Sequence, residues 1–200
     1  GTPKVFNFLQ IRPVVQADMI RSVDIDKVRS EDCILLSESA LGNGAFKGIN
    51  DVVYVKPDSF NPADTKNIAV IIDNLNTSFV NNGIGYVLIG PGRWGSADPW
   101  LGIPVKWVHI SAARIIIESG LANYRIDPSQ GTHFFQNLTS FGVGYMTLNP
   151  YINDGFYDVS YLDNMPAVYE DTFIRHVRFN KPLEIIIDGR KHKGAIIKPS

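Results

Sequence analysis

Reactive and adhesive groups are scarce in this chain of 200 residues. The single cysteine, Cys33, excludes an internal disulfide framework and any cysteine-based metal spacing; it suits a reducing cytosol and reads as a small buried apolar residue. No apolar run reaches the roughly 18 residues of a membrane span, and the opening "GTPKVFNF" lacks the pattern of a signal peptide. A soluble, cytoplasmic protein is expected. Charge of one sign is also missing. With 19 basic and 20 acidic side chains the formal net charge is -1, so no long-range field draws the chain to nucleic acid or anionic lipid. The densest basic run, "DGRKHKG", reads most simply as a charged hairpin tip. Neither a Gly-x-Ser-x-Gly elbow nor the ligand spacing of a transition-metal site occurs. Most telling, the stretch "GPGRWGSADPWLGIPV", residues 90–105, looks like an active-site loop yet contains no histidine, cysteine or lysine.

The length suits one main domain with a sizeable core. "KVFNFLQIRPVV" has the content of a strand stopped by Pro13, and is expected to be the last element of a domain whose body is missing. Residues 16–32 read as a linker or short helix. "CILLS" and "DVVYVK" are apolar runs around Gly42, Gly44 and Gly48, which fit a tight turn or bulge and lack the G-x-G-x-x-G of a nucleotide loop. Ile68, Ile71, Ile72, Leu75 and Phe79 recur at helical spacing between Pro62 and Gly83, which predicts a helix there. "IGYVLIG" follows as a strand emptying into the 90–105 loop, the kind of place where α/β proteins put binding sites. Beyond it, "IPVKWVHI" predicts a strand and "SAARIIIES" a helix with Ser111 as cap and Arg114–Glu118 as an i,i+4 pair. Asp127 and Pro128 open a second helix through "SQGTHFFQNL", and "GVGYMTL" is a strand. Residues 149–180 show no strong period and are expected to form a surface insertion. "LEIIIDGRKHKGAIIKP" reads as a hairpin around an Asp-Gly turn.

Several of these blocks, in this order, carry a family resemblance. "FLQIRPVV" resembles the closing strand of the ATP-grasp domain of phosphoenolpyruvate synthases and pyruvate phosphate dikinases, where a Gln-x-Arg-Pro run matched by Gln10, Arg12 and Pro13 contributes to the nucleotide site. "LLSESALGNGAFKGINDVVYVKPD" is similar to the start of the swivelling phosphohistidine domain of those enzymes. "GRWGSADPWLGIPV" resembles its central Gly-Arg-Thr-Ser-His motif and the Gly-Ile-Pro that follows, and "IIIDGRKHKG" its closing hairpin. The resemblance covers about half the chain. It implies an α/β fold, a swivelling phosphohistidine-like domain over 33–200 with a mixed sheet, flanking helices and an insertion over about 121–180, after an ATP-grasp remnant at 1–15 and a linker at 16–32. It also implies a phosphotransferase of larger size, using ATP and Mg2+ held by a missing N-terminal ATP-grasp domain, with pyruvate or another small molecule as acceptor. The fragment alone is expected to hold no cofactor and to be inactive.

The family's histidine is absent from the loop, where Arg93 is followed by Trp94, Gly95, Ser96, Ala97 and Asp98. Of the four histidines, His176 in "FIRHVRF" and His192 in the hairpin tip read as surface residues, and His109 as a polar group satisfied at a strand-to-helix junction. His133 follows Thr132 at the start of a predicted helix, whose N–H groups stabilise a phosphoryl group and disfavour an imidazolium; it is the candidate nucleophile, against the ordinary alternative of a packed core histidine. Arg93 reads equally as a phosphate clamp or as a partner of backbone carbonyls. Ser96 and Thr132 are candidate phosphate ligands. Asp98 before Pro99 suits a turn more than a magnesium site, and burial explains Trp94 and Trp100 more simply than stacking on a base or sugar. Two other readings stay open: an inactive swivelling-type domain that binds a partner or small anion, and a carbohydrate module using Asp98, Trp94 and Trp100.

Overall fold

A computed structural model of the protein describes residues 24–122, 138 and 141–199. In chain order the elements are β1 Cys33–Ser37, β2 Ser39–Leu41, β3 Gly44–Phe46, β4 Asp51–Val55, α1 Thr65–Asn81, β5 Tyr86–Pro91, β6 Arg93–Trp94, β7 Gly102–Ile103 and β8 Ala113–Ser119. They continue with β9 Gly144–Leu148, β10 Phe156–Tyr157, α2 Val159–Asp163, β11 Ala167–Glu170, β12 Ile174–Arg178, β13 Glu184–Asp188 and β14 Lys193–Ile197. Among the described residues these strands make a seven-stranded sheet in the order β11-β12-β4-β5-β8-β9-β2, a five-stranded sheet in the order β10-β1-β14-β13-β3, and a parallel pair, β6-β7.

The four central strands of the larger sheet, β4, β5, β8 and β9, run parallel, and the flanking β12 and β2 run against them. Alternate residues of these four strands enter two different cores, as the two-residue period of a strand requires. Val52, Tyr54, Val87, Ile89, Ile115, Ile117, Met146 and Leu148 meet Leu35, Ile185, Ile187 and Ile196 of the five-stranded sheet. Val53, Leu88, Ile116 and Tyr145 face the other way, onto Ile68, Ile72 and Phe79 of α1 and onto Trp94 and Ile103. The chain is therefore α/β, with an antiparallel sheet on one face of a mostly parallel one and a helix on the other.

The helix expected between Pro62 and Gly83 is α1. Its end is a Schellman motif: Gly83 sits at φ 65°, the Ile84 N–H donates to the Phe79 carbonyl at 3.0 Å and the Gly83 N–H to that of Val80 at 3.1 Å. The closing hairpin, β13–β14, also forms as read. Cys33 is fully buried, and burial pushes its thiol up to about 11.

Two expectations around the loop are corrected. Where a helix is expected over 111–119, residues 113–119 form the strand β8, because Ile115, Ile116 and Ile117 are buried on both faces; β-branched residues in an unbroken apolar run suit a doubly covered parallel strand. Residues 103–110 form no long strand: only Gly102–Ile103 pairs, and Trp107–Ile110 is a 3-10 turn packed on α1. Within 149–180, the stretch expected as an insertion, β12 pairs directly with β4 inside the main sheet, with Ile174 and Val177 buried.

Ile117 is 0 % exposed between the two sheets. Ile117→Ala is expected to lower stability by about 2–5 kcal/mol in urea unfolding, with little change in slope; a loss below about 1 kcal/mol would contradict the double-sided burial of β8.

Candidate functional site

Because β4, β5, β8 and β9 are parallel, their carboxyl ends lie along one edge, the edge at which open α/β sheets bind ligands. The 90–105 loop leaves β5 there. Its shape depends on glycine for close approach. A Cβ on Gly90 would stand 2.3 Å from Cζ2 of Trp94, and one on Gly102 only 1.9 Å from the Arg93 carbonyl oxygen. These contacts let β6 and β7 pair, with the Arg93 N–H donating to the Leu101 carbonyl at 2.7 Å and the Gly95 N–H to that of Ile103 at 2.8 Å.

Trp94 anchors the loop. It is 2 % exposed, its indole N–H donates to the Ile117 carbonyl at 3.0 Å, and its backbone N–H donates to Oε1 of Glu118, also at 3.0 Å. Glu118 is fully buried on β8, and its Oε2 accepts the Tyr145 hydroxyl at 2.5 Å. A buried carboxylate thus ties the loop to β8 and β9. The tip is held from within: Ser96 Oγ donates to the Asp98 carbonyl and accepts the Asp98 N–H, while Asp98 Oδ1 accepts the Trp100 N–H at 2.9 Å. Trp94 is therefore a core residue, and Asp98 shapes a turn. Trp100, by contrast, is 71 % exposed. Arg93 starts from β6 half-buried beside this anchor.

On the five-stranded-sheet side of the same edge lies a cavity of about 430 Å³, lined by Pro57, Ser119, Gly120, Tyr151, Tyr157 and Ser160 among others. The Tyr157 hydroxyl is buried without a hydrogen-bond partner among the described residues, and burial raises its ionisation well above the usual tyrosine range. Beside it Tyr54 donates to Oδ1 of Asp163 at 2.5 Å.

Arg93 and Ser96 thus share the loop. Gln10, Arg12, Thr132 and His133 lie outside the described residues. The chain toward His133 departs from Ser119 at the carboxyl edge, and Leu138, beyond it, is buried in the same apolar cluster as Trp94. Among the described residues no group of three His, Cys, Asp or Glu side chains is placed to hold a metal ion, and no helix is long and apolar enough to cross a membrane.

His192 sits as read, in the hairpin turn at φ 57°; His109 is a satisfied polar group, Nδ1 accepting the Lys106 N–H at 3.1 Å, but in the 3-10 turn Trp107–Ile110 and not at a strand-to-helix junction. His176 does not sit as read. Expected at the surface, it is 5 % exposed on β12, with Nε2 2.6 Å from Oδ1 of Asp51, which also accepts Nε–H of Arg178 at 2.8 Å. The charged run "FIRHVRF" conceals a strand whose alternate residues, Ile174 and His176, face α1. Glu118, expected to pair with Arg114 on a helix, is instead buried on strand β8 with Trp94 and Tyr145 as partners, and the sequence singles out neither Tyr145 nor Asp51, because each is a polar group inside an apolar strand, visible only once strand alternation is assigned.

Comparison of the chain with protein-family models, with curated proteins and with solved structures returns no match.

Tyr145→Phe removes the hydroxyl donor to buried Glu118 and is expected to cost about 1–3 kcal/mol of stability, read by urea unfolding. Burial alone would raise the Asp51 carboxyl, but the bonds from His176 and Arg178 outweigh it and hold it below the usual carboxylate range. A depressed folded value stabilises above the ordinary carboxylate pKa of about 4 and is lost as pH falls through the folded one. Wild type is therefore expected to lose stability more steeply than Asp51→Asn below about pH 4; parallel profiles for the two proteins would contradict the pairing.

Proposed function

We propose that this chain is the phosphoryl-carrying swivelling domain of a phosphotransferase of the phosphoenolpyruvate synthase and pyruvate phosphate dikinase type, with His133 as carrier and Arg93 as phosphate ligand. The observation that carries the reading is the position of the loop. The segment resembling the family's central motif closes over the carboxyl edge of four parallel strands, and the chain leading to His133 leaves from that same edge at Ser119. The layering of an antiparallel sheet, a mostly parallel sheet and α1 fits a compact domain that moves as one body between two partner sites.

In this reading the lone pair of a neutral imidazole nitrogen of His133 forms an N–P bond while the P–O bond to the nucleotide breaks, the nucleotide leaving with that electron pair. The second transfer breaks the N–P bond, whose electron pair returns to the imidazole, and makes an O–P bond to the acceptor oxygen, the acceptor giving up a proton to solvent or a base: a hydroxyl proton or, for pyruvate, the C3 proton lost in forming the enolate. Arg93, with donors in a fixed fork, is suited to hold the phosphoryl oxygens through both steps. ATP and Mg2+ belong to the ATP-grasp part, to which Gln10 and Arg12 are assigned, and the setting is cytoplasmic.

One observation favours a second reading, an inactive scaffold that binds a partner or small anion. In the loop segment where the family has its histidine, the polar side chains of Ser96 and Asp98 are spent on the turn itself. Labelling separates the two. The full-length protein, incubated in parallel with ATP labelled at the β or at the γ phosphate and analysed under conditions that preserve acid-labile phosphohistidine, is expected to carry label on His133, lost in His133→Ala. A preparation that binds ATP yet labels none of the four histidines selects the inactive scaffold.

A further inference from the structure

At the edge of the seven-stranded sheet opposite the loop, where β4 begins and α1 ends, a cavity of about 340 Å³ opens between α1 and β11–β12. Leu75, Phe79, Ile84 and Val168 give it apolar walls, and its polar members are Ser78, Asn82, Tyr169, His176 and Arg178, of which Asn82 donates its amide to the Ser78 carbonyl and Tyr169 its hydroxyl to Asp171. His176 and Arg178 are alternate residues of β12, so they share a face and are spaced roughly 7 Å along the strand.

Asp51 arranges both. Its ionised carboxylate is an acceptor only, so Nε2 of His176, 2.6 Å from Oδ1, donates to it, and Nδ1 is the nitrogen of the ring left over. Nε2 being committed, Nδ1 is the polar atom His176 has to offer the cavity, and it has no hydrogen-bond partner among the described residues. Arg178 spends Nε on Asp51, and its two terminal amino groups make no bond among the described residues, on a side chain 47 % exposed. Phe79 holds the imidazole from the side, ring centroids 5.1 Å apart in an edge-on arrangement. A buried, pre-oriented histidine beside an available guanidinium over an apolar wall is a built recognition site, with no part in the loop chemistry.

We propose that this cavity binds a small organic acid bearing one carboxylate, a nearby hydroxyl and an apolar or aromatic body. The terminal amino groups of Arg178 take the carboxylate, two parallel donors matching two oxygens. The ligand hydroxyl, able to donate or accept, hydrogen-bonds Nδ1 of His176. Leu75, Phe79 and Ile84 receive the apolar body. An amine in place of the hydroxyl would meet Arg178 as a like charge, and a phosphate dianion would find one guanidinium against mostly apolar walls.

The probe is 3-phenyllactate, titrated calorimetrically into the protein and followed by NMR of the histidine rings. Saturable binding with movement of the His176 signals is expected. The uncharged 3-phenyllactamide is expected to bind about tenfold or more weakly, as is 3-phenyllactate to Arg178→Met, since a bond to a charged group is lost in each case. 3-Phenylpropanoate, lacking the hydroxyl, is expected to lose several-fold. Ligand variation leaves the fold untouched, and circular dichroism checks the Arg178 variant. No saturable binding of 3-phenyllactate, or an affinity indifferent to the amide and to Arg178→Met, overturns the proposal. Because the site lies at the opposite edge from Arg93 and the Ser119 exit, its failure leaves the phosphoryl reading standing, and the reverse also holds.

Discussion

Burial of four parallel strands on both faces is the constraint from which the rest of the structure follows. Such strands cannot end a domain; each face of β4, β5, β8 and β9 needs an apolar cover. One cover is the five-stranded sheet with Ile185, Ile187 and Ile196, and the other is α1 with the Trp94 loop. Both candidate sites arise at the edges of this arrangement, one where the strands end and one where β4 begins. The interior is fixed by packing, and the polar chemistry collects at its rims.

The loop illustrates how a rim becomes rigid. Its glycines permit close approach at Gly90 and Gly102, and its tryptophan fills the space they vacate. Glu118 then joins the loop backbone to Tyr145 through one buried carboxylate. A buried acceptor of this kind is costly unless every lone pair is engaged, so it holds a single geometry more strictly than apolar contact alone. The second rim uses the same device: Asp51 organises His176 and Arg178 at the start of β4 as Glu118 organises Trp94 and Tyr145 near the end of β8.

Local signals read well wherever covering by distant segments did not matter. The α1 helix has its stripe of Ile68, Ile72 and Phe79 and its terminal Gly83, and the β13–β14 hairpin has its Asp-Gly turn; both are recorded within a few neighbouring residues. "SAARIIIES" is ambiguous in sequence because three isoleucines fit a helix or a doubly buried strand equally well, and the choice rests on what lies on the two faces. His176 is ambiguous for the complementary reason, since the arginines near it suggest exposure, while its partner Asp51 lies 125 residues away and Phe79 of α1 packs against its ring.

The position of α1, the glycine-rich loop after β5 and the lack of histidine, cysteine and lysine within that loop are written in the sequence, because each depends on residue type and spacing inside a short window. That residues 113–119 are a central strand, that Trp94 and Glu118 are one anchor, and that Asp51, His176 and Arg178 form a cluster emerges from the folded chain. Those outcomes depend on contacts between segments far apart in the chain. The same local pattern is stable in more than one conformation until a second surface covers it.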